Sequence, residues 1–275
     1  MEIKIDFTKS AQENAEEYYD RAKRLTAKRK GAERAIAELK GMVEKAKAEK
    51  AAEVEKVKPA VTVSRSKEWY EKFRWFTTSD GMLVIGGRDA HQNEALNSRH
   101  FEAGDLFFHA NIFGASVTVL KGGESSPERS RSEAAQFAAC YSSAWKEGLQ
   151  TVDVYAMRRA QVSKSTGKGS LGVGSFLLSG EREWHRDTPL GLAMFMADGR
   201  LNTVPLRLVD SAASGSLPQK VAAICIGRDK KSDAAKKISR MIGCDDIDEI
   251  VRQLPAGEFR VGAGGLVTPG HINTT

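Results

Sequence analysis

The chain has 275 residues, of which 41% are hydrophobic, 28% charged and 7% aromatic. This length is enough for one or two domains, each with a hydrophobic core. No run of about 18 apolar residues occurs, so no membrane span is predicted, and the N-terminus "MEIKIDFTKS" does not resemble a signal peptide. The formal net charge of +6 is compatible with nucleic acid as a partner and with any mildly basic protein.

The cysteines exclude two kinds of stabilised fold. Cys140, Cys225 and Cys244 are odd in number, widely spaced and form no CxxC pair. This pattern argues against a disulfide framework and against a zinc site, and it fits a reducing cytoplasm. Cys140 lies among alanines on a predicted helix, where a thiol is usually a core residue.

Residues 1–62 are predicted to be one long coiled-coil helix and a linker. Ser10 and Glu13 form a capping box, and Pro59 ends the helix. Apolar residues recur every three or four positions over about five heptads, interrupted at Arg29. Such a stripe needs a partner helix, from a second copy or from another part of the protein. We define the seam as Ala15, Tyr18, Ala22, Leu25, Ala32, Ile36, Leu39 and Val43.

Residues 63–196 change to a mixed α and β pattern. Residues 74–78 and 82–86 are predicted strands joined by the turn Ser79-Asp80-Gly81. A helix over residues 89–99 follows, then a strand pair, "DLFFHA" and "ASVTVLK". A helix from Pro127 to Gly148 comes next. The strands "TVDVYAMR" and "GSFLLSGE" flank the polar loop "RAQVSKSTGKGSLGV".

Residues 197–261 are predicted to be a small αβ extension. The strand "VAAICIG" precedes the helix "KKSDAAKKISRMIG", with Ser232 or Asp233 near its N-cap, and the helix "DDIDEIVRQL", which Pro255 ends. Residues 262–275 are glycine-rich and are predicted to be a mobile tail. The fold class is therefore α+β: a long heptad helix, a mixed α/β domain and an extension.

The turn Gly86-Gly87-Arg88-Asp89 lies between a strand and a helix, as phosphate-binding turns do. The glycines of GxGxxG are absent, and Gly167-Lys168 lacks the earlier glycine of a Walker loop. One interpretation is structural: glycines with positive φ, and Asp89 as N-cap. The other is that the helix N-terminus and Arg88 meet a backbone phosphate.

The five histidines show no metal-binding or catalytic motif. No HExxH, HxH or Cys/His pairing occurs, so neither a metal nor a cofactor is expected. No GxSxG occurs either, so catalysis by this chain is not expected. His109 follows an apolar strand, and a buried, hydrogen-bonded histidine is the favoured interpretation over a contact residue.

Basic residues recur at loops and helix starts, where phosphate contacts are commonly made. They could form one RNA-binding surface, or they could simply solvate a helix and several loops. Trp69, Tyr70 and Trp75 are candidates for stacking on bases, although most such residues are core. The candidate RNA-binding residues are Arg88, Asp89, Asn93, His109, Arg129, Arg131, Lys164, Lys168, Arg24 and Lys28.

Several uncommon segments occur in a recognisable order: "WYEKFRWFTTSDGMLVIGGRDAHQNE", "GDLFFHANIFGAS", "EAAQFAACYSSAW" and "QVSKS…GVGSF". Residues 67–195 thereby resemble the NFACT-R domain of the NEMF/RqcH ribosome quality-control family, formerly described as fibronectin-binding proteins. "SAQENAEEYYDRAKR" is similar to the second arm of that family's middle coiled coil, and the C-terminal helices resemble an extension of archaeal members.

The resemblance implies a function in RNA binding. Full-length members bind the large ribosomal subunit that carries an obstructed nascent chain on tRNA, and they recruit aminoacyl-tRNA for template-free C-terminal tailing. The peptidyl transfer itself belongs to the ribosome. The expected partners are therefore large-subunit RNA and tRNA, in the cytoplasm.

The sequence departs from the family pattern in three respects. The tRNA-handling NFACT-N domain, the helix-hairpin-helix segment and the first coil arm are not in this sequence, so no autonomous tailing is expected. Phe113 stands where a polar residue is more usual, and Glu181-Arg182-Glu183 replaces a more basic stretch, which weakens RNA contact there. Two alternatives stay open: a coiled-coil interaction or dimerisation module with no RNA role, and an enzyme acting on nucleic acid.

Overall fold

The computed structural model describes residues 5–56, 68–166, 169–211, 218 and 220–263. The chain divides into two units, Met1–Ser66 and Lys67–Thr275. Lys168, the linker after residue 56 and the predicted tail from residue 264 onwards lie outside the described residues.

The first unit consists of helix α1 (Ala11–Lys56), which has 46 residues and a length of about 69 Å. Its predicted capping box is confirmed, since the Ser10 backbone N–H donates to Glu13 Oε2 (2.7 Å) and the Glu13 N–H donates to Ser10 Oγ (3.2 Å). All eight seam residues are exposed, and Tyr18, Leu25 and Leu39 expose 41, 58 and 60% of their surface. The seam is therefore available to a partner.

The second unit contains the remaining elements. In chain order they are β1 (Arg74–Thr77), β2 (Leu83–Gly86), α2 (Ala90–Arg99), β3 (Leu106–Ala110), β4 (Thr118–Leu120), α3 (Glu128–Cys140), α4 (Ser143–Lys146), β5 (Thr151–Arg158), β6 (Val162–Ser163), β7 (Ser165–Thr166), β8 (Gly169–Ser170), β9 (Leu177–Leu178), β10 (Glu183–Pro189), β11 (Leu192–Ala197), β12 (Arg200–Pro205), α5 (Leu206–Ser211), β13 (Val221–Asp229), α6 (Lys231–Ile242), α7 (Ile247–Gln253) and β14 (Phe259–Ala263). The predicted α+β class is confirmed.

Two antiparallel sheets form the frame of this unit. The larger has the strand order β1-β2-β4-β3-β5-β10, and the smaller has the order β12-β11-β13-β14. The short strands β6 and β9 pair with each other, as do β7 and β8. The predicted hairpin of residues 74–86 is confirmed as the β1–β2 pair, and the predicted pairing of "DLFFHA" with "ASVTVLK" is confirmed as β3–β4.

Helix α3 joins the two sheets into one core. Its alanines and Phe137 pack in the same cluster as Phe108 of the large sheet and Ile224 of the small sheet. The other face of the large sheet carries a second cluster, in which Leu96 of α2 packs on Ile85 and Phe107. Among the described helices none is both long and apolar enough to cross a bilayer. The three cysteines are buried thiols, and Cys140 lies in the core as predicted.

The predicted division between residues 196 and 197 needs correction. Strand β11 ends at Ala197, which pairs with Arg200 of β12, so the division would cut a hairpin. The small sheet moreover shares the core around α3. Residues 197–261 are therefore part of the same packed unit as the preceding residues.

Some elements differ from the predictions. The helix predicted over residues 127–148 is interrupted at Ser142, whose hydroxyl accepts the Ala144 N–H (3.2 Å) as the cap of α4. Helix α6 has Lys230 at its N-cap, not Ser232 or Asp233. The strand predicted in "GSFLLSGE" is reduced to the two residues of β9. Strands β10, β11, β12 and β14 were not predicted.

Candidate nucleic-acid interface

A cleft of about 890 Å³ opens where the start of α2 meets the β3–β4 loop and α4. Four of the candidate RNA-binding residues line it: Arg88, Asp89, Asn93 and His109. We call this feature the cleft. The other side chains that shape it include Arg74, Phe113, Tyr141, Ser142, Ser143, Lys146 and Tyr155.

The turn Gly86-Gly87-Arg88-Asp89 forms one wall of the cleft. Its glycines are needed for close packing and not for unusual backbone angles. Gly86 and Gly87 are not among the glycines with positive φ, so that prediction is wrong. A Cβ on Gly87 would lie 2.1 Å from Asn93 Oδ1, and only glycine avoids this clash because it has no Cβ. Asp89 is the predicted N-cap of α2, because its Oδ1 accepts the Gln92 N–H (2.8 Å).

Arg74 and Arg88 bring positive charge into this wall. Arg74 Nη1 donates to Gly87 O (2.6 Å), and its guanidinium lies 4.4 Å from the Tyr141 ring centroid. Arg88 donates to Phe73 O and Arg252 O, both at 3.2 Å. These acceptors are neutral carbonyls. Within the described residues neither guanidinium has a carboxylate at salt-bridge distance, and Arg74 Nε has no acceptor.

The electrostatic environment of the cleft favours an anion. Burial, and then the nearby Arg88 charge, lower the pKa of Arg74, although Tyr141 and Asp89 oppose the shift. A poorly solvated cation gains most from an anionic partner. Exposed Lys146 adds a third positive charge, and Asp89, the acidic residue of the lining, is already engaged as a helix cap.

Asn93 and His109 support the cleft from inside. Asn93 Oδ1 accepts the Val117 N–H (3.2 Å), which fixes the loop after β3 against α2. His109 Nδ1 lies 3.2 Å from the Tyr155 hydroxyl. Burial lowers the pKa of His109, so its imidazole is neutral at pH 7. The hydrogen bond predicted for His109 is present, but the residue is only partly buried, and it also lines the cleft.

Phe113 stands at the rim of the cleft with 98% of its surface exposed. Gly114, at φ +79°, forms the turn that follows it. The Ser143 hydroxyl donates to the Phe113 carbonyl oxygen (2.7 Å), so the backbone of this loop is anchored to α4. The Phe113 ring is exposed to solvent on a loop with an anchored backbone, so it is suited to stacking on a flat ligand.

The remaining candidates lie elsewhere or are already paired. On α3, Arg129 pairs with Glu133 (3.5 Å) and Arg131 with Glu183 (3.2 Å). Lys164 forms a salt bridge with Glu94 and donates to Gly172 O (2.7 Å), so its ammonium fastens the following loop to α2. This geometry does not favour Lys164 as a phosphate contact. Arg24 and Lys28 are exposed on α1 in the other unit.

The stacking candidates from the N-terminal side of the domain are packed against each other. Trp69 stacks on His100 (centroids 4.3 Å apart), and Tyr70 meets Trp75 edge-on (4.9 Å). Sequence reasoning missed Arg74, Tyr141 and Lys146, which no motif distinguishes. It also missed Trp184 and Arg186 on β10 and Arg182, which directly precedes this strand. Arg182, Trp184 and Arg186 alternate along the chain, a pattern that would place them on one face of a strand.

In the part of the chain that the structure describes, no three His, Cys, Asp or Glu side chains are grouped as a metal site requires. The cleft instead offers guanidinium and ammonium donors beside an exposed ring. Such groups can hold phosphate oxygens and the face of a base.

Comparison with known proteins agrees with this chemistry. Residues 72–180 match the NFACT protein RNA binding domain. The chain is 35% identical over 201 residues to the archaeal homolog aRqcH of Methanocaldococcus jannaschii, covering 71% of this chain and 29% of that protein. It is 38% identical over 176 residues to the ribosome quality control complex subunit NEMF of Homo sapiens, covering 62% of this chain and 16% of that protein.

A solved structure shows a weaker likeness. The C-terminal part of the fibronectin/fibrinogen-binding protein from Streptococcus suis is 24% identical and covers 52% of this chain and 54% of that chain, with a TM-score of 0.38. The chain spans less than a third of the length of aRqcH and of NEMF. The domain match, together with the likeness to aRqcH and NEMF, identifies an NFACT-R domain of the NEMF/RqcH family in this chain.

Proposed function

We propose that this chain is the RNA-binding part of a ribosome quality-control protein and that the cleft holds the RNA. The observation that carries the proposal is the set of three basic residues, Arg74, Arg88 and Lys146, which have no carboxylate partner among the described residues and stand beside exposed Phe113. The domain match and the names of the two relatives support the same assignment.

The chemistry of the cleft suits an RNA backbone. Phosphate oxygens accept hydrogen bonds from guanidinium groups in geometries that lysine or a neutral donor cannot reproduce. Arg74 and Arg88 are held by carbonyl oxygens, so little side-chain entropy is lost when they meet a phosphate. Lys146 would contribute mainly to the electrostatic part of affinity, which weakens with salt.

The finer parts of the proposal concern the larger protein. In it, this chain would engage RNA of the obstructed large subunit and tRNA in support of template-free C-terminal tailing, in the cytoplasm. The chain would bind without catalysing a reaction of its own, since peptidyl transfer belongs to the ribosome. The relatives' names, aRqcH and ribosome quality control complex subunit NEMF, support the ribosome quality-control part of this role.

The test is RNA binding by fluorescence anisotropy with tRNA and large-subunit RNA fragments, from low to moderate salt. Arg88→Ala and Lys146→Ala are compared with the matched control Lys236→Ala, an exposed lysine on α6 that does not line the cleft. We expect log Kd to rise linearly with log salt, and each cleft variant to reduce that slope by about one phosphate contact. Absence of binding at low salt, or equal losses in the control, would overturn the proposal.

Co-sedimentation with large ribosomal subunits tests the finer part separately. We expect the wild-type chain to sediment with the subunits at low salt, and the variant Arg88→Ala with Lys146→Ala to remain in the supernatant. Binding to free RNA without sedimentation would leave the cleft proposal standing and remove the ribosomal one.

The second candidate function is protein interaction through α1. It is favoured by the exposed apolar seam, in which Ile36 and Leu39 present 53 and 60% of their surface. If two copies pair through this seam, light scattering should give twice the chain mass, and Ile36→Glu with Leu39→Glu should restore the monomer mass. A mass that the variant leaves unchanged would exclude this dimer.

A further inference from the structure

Three neighbouring strands of the large sheet place aromatic side chains side by side on one face. In the register of the sheet Tyr155 of β5 stands opposite His109 of β3 and opposite Trp184 of β10. The ring centroids of Tyr155 lie 5.7 Å from His109 and 5.6 Å from Trp184. We call these three residues the aromatic row. Because His109 and Tyr155 also line the cleft, the row begins inside it.

Two arginines lie over this row. The Arg182 guanidinium is 4.6 Å from the Tyr155 ring centroid and 5.7 Å from that of Trp184, and the Arg186 guanidinium is 3.9 Å from Trp184. Both arginines are exposed. Within the described residues the Arg182 side chain has no salt bridge and no hydrogen-bond partner, so its exposed guanidinium is available to a ligand.

The acidic residue that follows Arg182 does not pair with it. Glu183 alternates to the other face of the strand, where it pairs with Arg131 (3.2 Å) and lies 3.6 Å from His185 Nε2. The weakening of RNA contact that the stretch 181–183 suggested therefore does not follow from Glu183. Alternation along the strand separates the basic face from this carboxylate.

A bulge in β10 positions the second arginine. The register shifts between His185 and Thr188, and Asp187 takes the left-handed conformation (φ +49°). Asp153 holds this bulge, because its Oδ1 accepts the Asp187 N–H (3.0 Å) and its Oδ2 accepts from Arg186 Nη1 (2.5 Å). Bulges commonly re-aim a side chain. Here the bulge lays Arg186 across Trp184.

We infer that the cleft and the arginine-covered aromatic row form one track for an unpaired RNA strand, with phosphates at Arg74, Arg88 and Lys146 and bases on the exposed guanidiniums of Arg182 and Arg186. This inference rests on the proposed function and specifies its substrate class. Bases inside a duplex stack on each other, so their faces cannot meet a side chain. Planar guanidinium and aromatic groups in series therefore select single strands, and sheet aromatics typically stack two or three bases.

A simpler explanation is that the arginines only protect an edge, because β10 is the last strand of the large sheet. Charged residues on edge strands prevent pairing with another chain. Lysine would serve that purpose as well as arginine, but lysine has no plane on which a base can stack. The substitution Arg182→Lys therefore separates the two explanations.

The experiment measures binding of the whole chain to an RNA oligonucleotide, first single-stranded and then annealed to its complement. A 2-aminopurine base in the single strand reports stacking by its fluorescence. The variants are Arg182→Lys and Arg186→Lys, and the control is Arg228→Lys, an exposed arginine on β13. We expect the single strand to bind about tenfold or more tightly than the duplex, the size of one lost base stack.

We further expect Arg182→Lys and Arg186→Lys to weaken single-strand binding several-fold and to reduce the 2-aminopurine signal, while the salt slope stays unchanged. Equal affinity for duplex and single strand, or lysine variants that bind and stack as the wild type does, would overturn the inference and leave RNA binding in place. Absence of any RNA binding at low salt would instead remove the proposed function itself.

Discussion

Gly87 shows how a single atom shapes the cleft. Its missing Cβ makes room for Asn93 Oδ1, and Asn93 in turn accepts the Val117 N–H. The interior is close-packed, and Asn93 is held by this hydrogen bond, so it cannot move away without losing a buried contact.

We predict that Gly87→Ala lowers the free energy of unfolding by about 2 kcal/mol or more, because a Cβ 2.1 Å from Asn93 Oδ1 forces the turn apart. Urea unfolding followed by circular dichroism measures the effect. The control is Gly172→Ala, where a Cβ meets nothing within 4 Å. Equal stability of the two variants would contradict the close approach.

The lowered pKa of His109 predicts how the free energy of unfolding depends on pH. Burial is the main cause that lowers the pKa of His109, and also those of His100 and His185, below the ordinary value of about 6.5. The unfolded chain therefore binds protons that the folded chain does not, once the pH falls below about 6.5. Stability is full above that pH and decreases below it.

We expect the free energy of unfolding to fall between pH 7.5 and 5, by at most about 1.4 kcal/mol per pH unit for each histidine. His109→Gln should reduce the slope by up to one proton. Carboxylates with lowered pKa values, such as Asp153 and Glu94, titrate at lower pH and do not contribute here. A slope that is flat, or is unchanged in the variant, would contradict the assignment.

Among the elements, the loop between β6 and β9 depends on Lys164. Its ammonium binds Glu94 of α2 and the carbonyl oxygen of Gly172, and Glu94 also accepts the Gly174 N–H (3.1 Å). These contacts hold Lys164, Gly172 and Gly174 against the helix that starts at the cleft. They explain why a lysine in a polar loop is occupied and not free.

We predict that Lys164→Ala speeds hydrogen exchange in residues 169–176, whereas the salt slope of RNA binding stays unchanged. Glu94→Gln should loosen the same loop, because it weakens the same pair from the other side. A reduced salt slope in Lys164→Ala, with normal exchange, would show instead that Lys164 contacts phosphate.

Local signals predicted some elements well because their causes are local. The hairpin around Ser79-Asp80-Gly81 and the cap at Asp89 each depend on residues within one turn. Strand β10 escaped prediction because Glu183, Arg186 and Asp187 make it read as a loop. The strand forms because its backbone pairs with the neighbouring strand β5. The sequence between β5 and β10 carries no signal of that pairing.

The site was predictable only in part, for a related reason. Arg88, Asp89, Asn93 and His109 reach the cleft because a short turn and a strand end place them there. Arg131 and Lys164 instead pair with carboxylates that lie 52 and 70 residues away in the chain. Charge and loop position alone do not show such partners.

In the whole molecule, the C-terminal residues complete the core and the cleft together. The Tyr141 hydroxyl donates to Gln253 O (2.8 Å), and Trp145 Nε1 donates to Glu258 O (3.2 Å). Pro255 and Ala256 line the cleft directly. The region that resembles an archaeal extension therefore supports the surface on which RNA is proposed to bind.

We predict that a chain ended after residue 196 loses cooperative unfolding, because the core cluster that contains α3 would lose Ile224, Ile238 and Phe259. Urea titration with near-ultraviolet circular dichroism compares it with the full chain. A truncated chain that unfolds in one sharp transition of similar midpoint would restore the division between residues 196 and 197.

The most direct test of the central claim is to locate bound RNA on the chain. Single-stranded RNA carrying 4-thiouridine is crosslinked to the full-length chain, and the modified peptides are mapped by mass spectrometry. We predict crosslinks at Phe113 and on β10 around Trp184, with both lost in Arg88→Ala with Lys146→Ala. Crosslinks confined to α1, or to the start of α3 at Arg129 and Arg131, would contradict an RNA site in the cleft.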